Sequence, residues 1–418
     1  MKQILYSLIL SSFAAQMSFA QWTTGADMPE GIRAGNTENF TTGGQNFIYI
    51  FGGRNDQDII SNKTHRYNLT TDEWDEMASV PTPILGSSSA RIGDKVYIIG
   101  GMVTTPGAVT KNVYRYDLST DSWDQVTDIP VPYTDGDAVA YQDSLIYTVG
   151  AYNSEKTYVY NVNTDEWRQG TSIPSPGSSL SYGALSIYGN KLVYVGGSNG
   201  TFSPTYWNKV WIGEIDQTDR SQITWTEANP FPGETRTFFE LKPWDNGLIL
   251  IGGTTDNTFE TVSNENYFYN VETDTWMELM PKPTAWNTGN ATSLLVDGVW
   301  KLVCAGGFNQ NYLLDTEIYS KENLSISDIH ETDLCHLKNM QPIGGRIPKL
   351  IFCTKENGRV EMTVWDGQGR LVRKKKQIAA GAGKHLISLS DLNLSNGIYL
   401  ITLSQNGVTQ TKKIQVLQ

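Results

Sequence analysis

Val96-Tyr-Ile-Ile-Gly-Gly101, then Val113-Tyr-Arg-Tyr-Asp-Leu-Ser-Thr-Asp-Ser-Trp123 and Pro130, decide the fold, because the same pattern returns along most of the chain. Six short apolar runs end in a pair of small residues: Gly52-Gly53, Gly100-Gly101, Gly150-Ala151, Gly196-Gly197, Gly252-Gly253 and Gly306-Gly307. Successive pairs stand 46 to 56 residues apart. Six tryptophans keep step with them, namely Trp22, Trp74, Trp123, Trp167, Trp225 and Trp276, and a proline follows each one seven positions later. In four units a tyrosine (Tyr67, Tyr116, Tyr160 or Tyr269) precedes the tryptophan by seven, with a Thr-Asp pair between them.

A short apolar run bounded by turn signals reads as a strand buried on both faces. The small-residue pair ends it where the backbone turns tightly or another chain comes close. Tyrosine and tryptophan suit half-buried positions on a twisted sheet, and Trp123 is expected to lie buried in its own sheet. Thr-Asp supplies the local hydrogen bonds of a hairpin, and proline marks the exit, where no ladder donor is needed. Three markers in phase through six copies resemble the kelch repeat, a unit of about 50 residues that forms one four-stranded blade. The resemblance covers residues 21 to about 322 and implies an all-β fold, a six-bladed kelch-type β-propeller. Trp22 precedes the first glycine pair, and within the repeat region the last pair is followed by Tyr319 but no tryptophan, so the N-terminal strand is expected to complete the last blade and remove an open sheet edge. The stretched interval between Trp211 and Trp225 predicts a longer outer hairpin in blade four.

Residues 1–20 read as a signal peptide: Lys2, an apolar run from Ile4 to Ala15, and Ser18-Phe19-Ala20 before Gln21. That run is too short and too often interrupted by polar residues to span a bilayer, and no membrane span is expected elsewhere. The predicted organisation continues with the propeller at 21–322, a linker at 323–345 and a small β-sandwich domain at 346–418. Asp366-Gly-Gln-Gly-Arg370, Gly397-Ile-Tyr399 and the closing strand Thr411-Lys-Lys-Ile-Gln-Val416 resemble the C-terminal sorting domain of the type IX secretion system. Where that family usually opens with Asn-Pro, this chain has Gln341-Pro-Ile-Gly-Gly-Arg346. The resemblance implies the type IX secretion machinery as a partner. It also implies export through the periplasm of a Gram-negative, Bacteroidota-like bacterium to the outer surface or the medium. An ordinary appended sandwich is the alternative.

Three cysteines are too few to build a disulfide scaffold; Cys304 reads as a core residue, and Cys335 and Cys353 either pair or stay free. Residues 336–418 carry 13 Lys and Arg against 4 Asp and Glu, so the formal charge of −12 becomes −21 over residues 1–335. An acidic propeller is a poor partner for nucleic acid. The run Arg373-Lys-Lys-Lys376 reads as a solvated strand edge or as a contact for an anionic export partner.

Chemistry-bearing signatures are sparse. His65 alone among the four histidines falls in the propeller, which weakens metal and Ser-His-Asp readings, and neither a metal site nor a cofactor is expected. The string Gly196-Gly-Ser-Asn-Gly200 matches a nucleophile elbow but leads into Thr201-Phe-Ser-Pro204 rather than a helix. Kelch blades converge two loop sets on one face, and candidate ligand contacts come from both. After the glycine pairs stand Arg54, Asp56, Tyr152, Asn153, Asn257, Phe308 and Asn309. After the prolines stand Arg33, Tyr133, Asp135, Tyr182, Arg236 and Trp286. Aromatic plates among amides and charges suit a glycan or protein ligand, and the first expectation is a non-catalytic binding module. A second is a sugar-modifying enzyme similar to the six-bladed kelch sialic acid epimerases, with Glu234 and Arg236 as its acid/base and sugar-acid contacts. A third is a spacer in a surface assembly.

Overall fold

A computed structural model describes residues 18–104, 107–152, 154–174, 180–199, 205–256, 260–323, 338–339, 349–354, 358–380, 383–388, 392, 394–395, 397–405 and 408–416. The chain divides into two compact units, one of residues 21–320 and one that includes residues 321–418. Most of the predicted leader and linker, with Asn153, Asn257 and Cys335, lies outside the described residues.

Six four-stranded antiparallel sheets make up the first unit. Blade two shows the common plan: Ser88–Ile92 is innermost, then Lys95–Ile99, Val113–Asp117 and Ser122–Val126 outermost. The innermost strands of the six blades, Asn36–Thr42, Ser88–Ile92, Asp137–Tyr141, Ala184–Tyr188, Glu240–Trp244 and Asn290–Val296, each touch the next, and the last touches the first. The ring is therefore closed. Its last blade takes its outer strand from the start of the chain, since Ser18–Gly25 lies beside Thr316–Asn323. Cleavage after Ala20 would leave Gln21 to Gly25 of that strand.

The apolar runs are the second strands, buried on both faces because neighbouring blades cover each side: Ile98, Ile99, Leu250 and Ile251 have no exposed surface. The glycine pairs end them in left-handed backbone, with φ of 63° and 93° at Gly52 and Gly53. A Cβ on Gly52 would lie 2.8 Å from the carbonyl oxygen of Ile84, in the loop that enters the next blade. Gly53 N–H donates to that same carbonyl at 2.8 Å. Only glycine permits so close an approach.

The tryptophans link blades. Each indole N–H donates to the backbone carbonyl of the residue that stands four after the preceding tryptophan. Trp74 reaches Ala26 at 3.0 Å, Trp123 reaches Ala78 at 2.9 Å, Trp167 reaches Thr127 at 2.9 Å and Trp225 reaches Thr171 at 3.1 Å. Trp276 reaches Asn229 at 3.2 Å, and Trp22 closes the circle on Met280 at 3.3 Å. Trp123 is half-buried at the seam rather than enclosed in its own sheet; its ring meets Phe51 of blade one edge-on at 5.7 Å.

In four blades the aspartate of the Thr-Asp pair reinforces the clamp. Asp72, Asp121, Asp165 and Asp274 adopt positive φ, and each carboxylate accepts from the tyrosine of its own hairpin. The same oxygen accepts the N–H of the residue whose carbonyl the tryptophan holds, Ala26, Ala78, Thr127 or Asn229. Blade four lacks the tyrosine: Gly213 stands opposite Trp225, and the longer connection between Val210–Ile215 and Ile223–Ala228 folds back, Ser221 accepting from Thr171 N–H.

The C-terminal unit contains a four-stranded antiparallel sheet in the order Leu371–Ala380, Gly358–Asp366, Gly397–Gln405, Val408–Val416. A three-stranded sheet of Lys338–Asn339, Lys349–Thr354 and Gly383–Ser388 accompanies it. Val360, Met362, Val364, Tyr399, Ile401 and Leu403 form its core with Leu392 and Leu394. In the turn of the Asp-x-x-x-Arg motif, Asp366 accepts the N–H groups of Gln368 and Arg370 at 2.9 and 3.0 Å.

Trp123→Phe keeps most of the ring contact and deletes one clamp. Urea unfolding of the variant should show a loss of about 1–2 kcal/mol, the net worth of a hydrogen bond whose acceptor is left partly buried. A loss below about 0.3 kcal/mol would mean that the indole N–H does not hold the seam.

Candidate functional site: the mouth of the central channel

Each loop that enters an innermost strand passes through a left-handed residue: Ala34, Gly86, Asp135, Tyr182, Phe238 and Thr288. These residues form a belt. Ala34 N–H donates to Thr288 O, Thr288 N–H to Phe238 O, Phe238 N–H to Tyr182 O, Tyr182 N–H to Asp135 O and Asp135 N–H to Gly86 O, at 2.7 to 3.1 Å. Five of the six steps around the rim are thus bridged peptide to peptide, which fixes the mouth of the channel. All six residues line the cavity below, whose volume is about 470 Å³.

The belt geometry suits glycine, and blade two supplies one. The side chains of Asp135, Tyr182, Phe238 and Thr288 occupy it at about 1 kcal/mol or more each, the usual penalty for a side chain at positive φ. The Tyr182 and Phe238 rings pack together with centroids 4.3 Å apart. Burial pushes the Asp135 carboxyl up to about 7, against hydrogen bonds from Thr134 and Tyr182 that favour its charged form.

Further in, the channel wall is charged. Glu38 accepts from Ser89 Oγ at 2.8 Å, joining blades one and two. The Asp137 oxygens accept Ala138 N–H and Leu185 N–H, both at 2.8 Å, joining blades three and four. Glu240 pairs with Lys242 at 2.7 Å. Burial raises the pKa of all three carboxyls. It would lower that of Lys242, but Glu240, Asp137 and Glu38 outweigh it and hold the ammonium charged. With Asp135, four carboxylates line the cavity against two cations, Lys242 and Arg91.

On the outer loops, three sequence-predicted residues meet. Arg33 and Arg54 oppose each other in the short ladder of Ile32–Arg33 with Arg54–Asn55. The Arg33 guanidinium lies 5.2 Å from the Phe308 ring centre and 5.7 Å from that of Tyr312, and its Nε donates to Tyr312 Oη at 3.2 Å. Tyr312 and Arg54 both donate to Asp58, at 3.0 and 3.1 Å, and hydrogen bonds from Arg54 and then Tyr312 hold that exposed carboxyl below its ordinary value. Asp58 was missed; nothing in its loop distinguishes it from Asp56, which stands exposed with Gly31 N–H 3.5 Å away. Asn309 pairs with Asn311 in the adjoining hairpin, and Tyr152 is exposed, its backbone held by Thr134.

Three candidates are not on the face at all: Tyr133, Arg236 and Trp286 are buried, at 1%, 2% and 1% exposure. Each stands two residues before a belt residue, where the side chain turns inward under the rim. Tyr133 O and Trp286 O accept Gly101 N–H and Gly253 N–H, the second glycines of the preceding blades. In blade five an arginine fills this otherwise apolar slot. Arg236 donates to Glu234 O, Gly252 O, Ser263 Oγ and Glu265 Oε2, the last at 2.7 Å, and lies 4.9 Å from the Phe231 ring centre. Glu234 is exposed and contributes only its carbonyl. The pair therefore lacks the acid/base and sugar-acid geometry expected of it.

His65 is buried with Nε2 3.0 Å from Glu30; burial lowers its pKa against the pull of that carboxylate. Cys304 is a buried free thiol whose pKa burial raises. Among the described residues no group of three or more His, Cys, Asp or Glu is arranged to hold a metal, and no helix is long and apolar enough to cross a membrane.

Residues 14–197 match the KLHDC2/KLHL20/DRC7 Kelch-repeats domain, and residues 349–417 match the Secretion system C-terminal sorting domain. The solved structure of YjhT superposes with a TM-score of 0.56 at 14% identity, covering 69% of this chain and 95% of that one, which supports the propeller fold. N-acetylneuraminate epimerase of Haemophilus influenzae is 34% identical over 87 residues, 20% of this chain and 22% of its own. Beta-scruin of Limulus polyphemus is 28% identical over 94 residues, 22% of this chain and 10% of its own. The chain thus matches between about a tenth and a fifth of the length of these curated relatives. It carries a kelch-repeat propeller and a C-terminal secretion sorting domain. Such a tail directs type IX export to the cell surface or beyond, as is typical of Bacteroidota.

Asp135→Asn tests the electrostatics of the rim. Below about pH 4 the carboxyl is protonated in folded and unfolded chains alike and contributes nothing. Between 3.8 and about 7 only the unfolded state releases its proton, so wild-type stability falls as pH rises and levels off above 7. The melting temperature of the variant relative to wild type should therefore climb from pH 4 to 7. A constant gap would place the carboxyl in ordinary solvent.

Proposed function

We propose that this secreted propeller is a non-catalytic binding module that takes a glycan or protein ligand on the loop face, around the channel mouth. The observation that carries the reading is the belt: at a rim made of glycine-type backbone, four blades hold an aspartate, a tyrosine, a phenylalanine and a threonine above one cavity. Residues held in strained backbone cluster at active sites and ligand clamps, and unlike the clamp aspartates these four line a cavity. The arginine–aromatic cluster beside the rim and exposed Tyr152 extend the same face with groups suited to polar and ring contacts.

A sugar-modifying enzyme similar to the epimerase is the second reading. A carboxyl that titrates near neutrality in a cavity supports it, because such a group can both give and take a proton at working pH. Its acid/base residue would be Asp135 rather than Glu234. Proton NMR of N-acetylneuraminate mutarotation with folded protein checks this; an unchanged rate retires it.

For the binding reading, the full chain is applied to arrays of glycans and to outer-surface fractions beside Arg33→Ala and Tyr152→Ala. Binding should drop at least tenfold in one or both variants at unchanged melting temperature. Binding untouched by either variant would move the contact off this face, and no binding by folded protein would favour the spacer. We further propose that residues 346–418 engage the type IX machinery, so their deletion should leave the propeller inside the cell. Its undiminished appearance in the medium would contradict this.

A further inference from the structure

We infer that the channel mouth is a saccharide subsite selective for neutral sugars, in which the Tyr182–Phe238 pair stacks on a pyranose face and Asp135 accepts its hydroxyls. The inference rests on the binding reading above and narrows it to one ligand chemistry.

Three observations carry it. The first is the aromatic pair. Two rings with centroids 4.3 Å apart line the cavity from adjacent blades, at belt positions where the backbone φ of 61° and 56° disfavours bulky residues. The belt hydrogen bonds hold both residues at the rim against that strain, and an aromatic plate complements the C–H face of a sugar ring. The second is the carboxylate. Asp135 stands next to Tyr182 in the belt, joined by the peptide hydrogen bond of 3.1 Å, its carboxyl takes a hydrogen bond from the Tyr182 side chain, and both side chains line the cavity. Above about pH 7, where Asp135 is ionised, its two oxygens can accept from two vicinal hydroxyls, and charge-assisted acceptance is the stronger kind.

The third is the sign of the wall. Four carboxylates line the cavity against two cations, and Lys242 is already engaged by Glu240 at 2.7 Å. A sugar acid entering this mouth would bring a further negative charge beside four acidic groups, where Lys242 is already paired and Arg91 already acts on Glu38, which costs free energy. The arginine that would have recognised such an acid, Arg236, is buried and bound to Glu265. The volume of about 470 Å³ falls in the usual range for small-ligand sites, roughly 300–1,000 Å³.

The test titrates the full chain with cellobiose, maltose, lactose and chitobiose as neutral probes, and N-acetylneuraminate as the anionic probe, by calorimetry and ligand-observed NMR. Tyr182→Gly and Phe238→Gly remove the rings while glycine relaxes the positive φ, and Asp135→Asn keeps the shape of the acceptor. At least one neutral probe should bind, and at least tenfold more tightly than N-acetylneuraminate. Each variant should weaken it tenfold or more while melting within a few degrees of wild type. Tighter binding of N-acetylneuraminate overturns the inference. So does neutral-sugar binding that survives all three substitutions but falls with Arg33→Ala, an outcome that leaves the loop-face reading standing. Failure of all five sugars, with array binding still sensitive to Arg33→Ala or Tyr152→Ala, overturns the subsite alone. Loss of both sinks the binding reading with it.

Discussion

One hydrogen bond, repeated around a circle, underlies the propeller: an indole N–H on each blade grips the backbone carbonyl that follows the outer strand of the blade before it. A blade buries its apolar second strand only while both neighbours stay in place, so the seam contacts and the core depend on each other. The tryptophan gives this bond a wide apolar plate that covers the seam and a donor at its edge. Where an aspartate in left-handed backbone joins it, both backbone polar groups of one residue are satisfied from the next blade, as at Ala26 and Ala78. The last clamp, Trp22 to Met280, spans nearly the whole propeller sequence and turns a row of sheets into a ring.

Closure at the outside constrains the inside. Six innermost strands converge on one axis, and their entry loops are drawn close enough for peptide to bond with peptide around the rim. Two residues before each rim position a side chain turns under against the glycine pair of the preceding blade. The same short loop therefore delivers one buried plug and one rim residue, and of the two only the rim residue lines the cavity.

That alternation explains what the chain disclosed and what it hid. Glycine pairs and tryptophans obey simple spacing because each answers to one geometric need, a close carbonyl or a seam, so the six sheets and their closure were legible. The post-proline loops were legible only as a group. Tyr133, Arg236 and Trp286 have the chemistry of ligand contacts, yet their register puts them in the plug position, while Asp135 and Tyr182 are on the rim. Arg236 misleads most, since a buried arginine needs Glu265 and three other oxygens that stand up to 29 residues away. Phe238, two residues on, was the better candidate. The signal for it was its offset of two from the plug, readable only once Ile32, Ile84, Tyr133, Leu180, Arg236 and Trp286 are aligned as one structural position.

The clamp also connects fold to function: a rim of strained side chains can persist only on a scaffold that does not relax. Hydrogen exchange at the six clamping indole N–H groups, followed by NMR in the native protein, tests this most directly. A closed, mutually dependent ring predicts that all six exchange through one opening event, with protection near the global unfolding free energy. If Trp22 exchanges far faster than Trp74, Trp123, Trp167, Trp225 and Trp276, the ring opens at its seam and the account of a single closed scaffold is wrong.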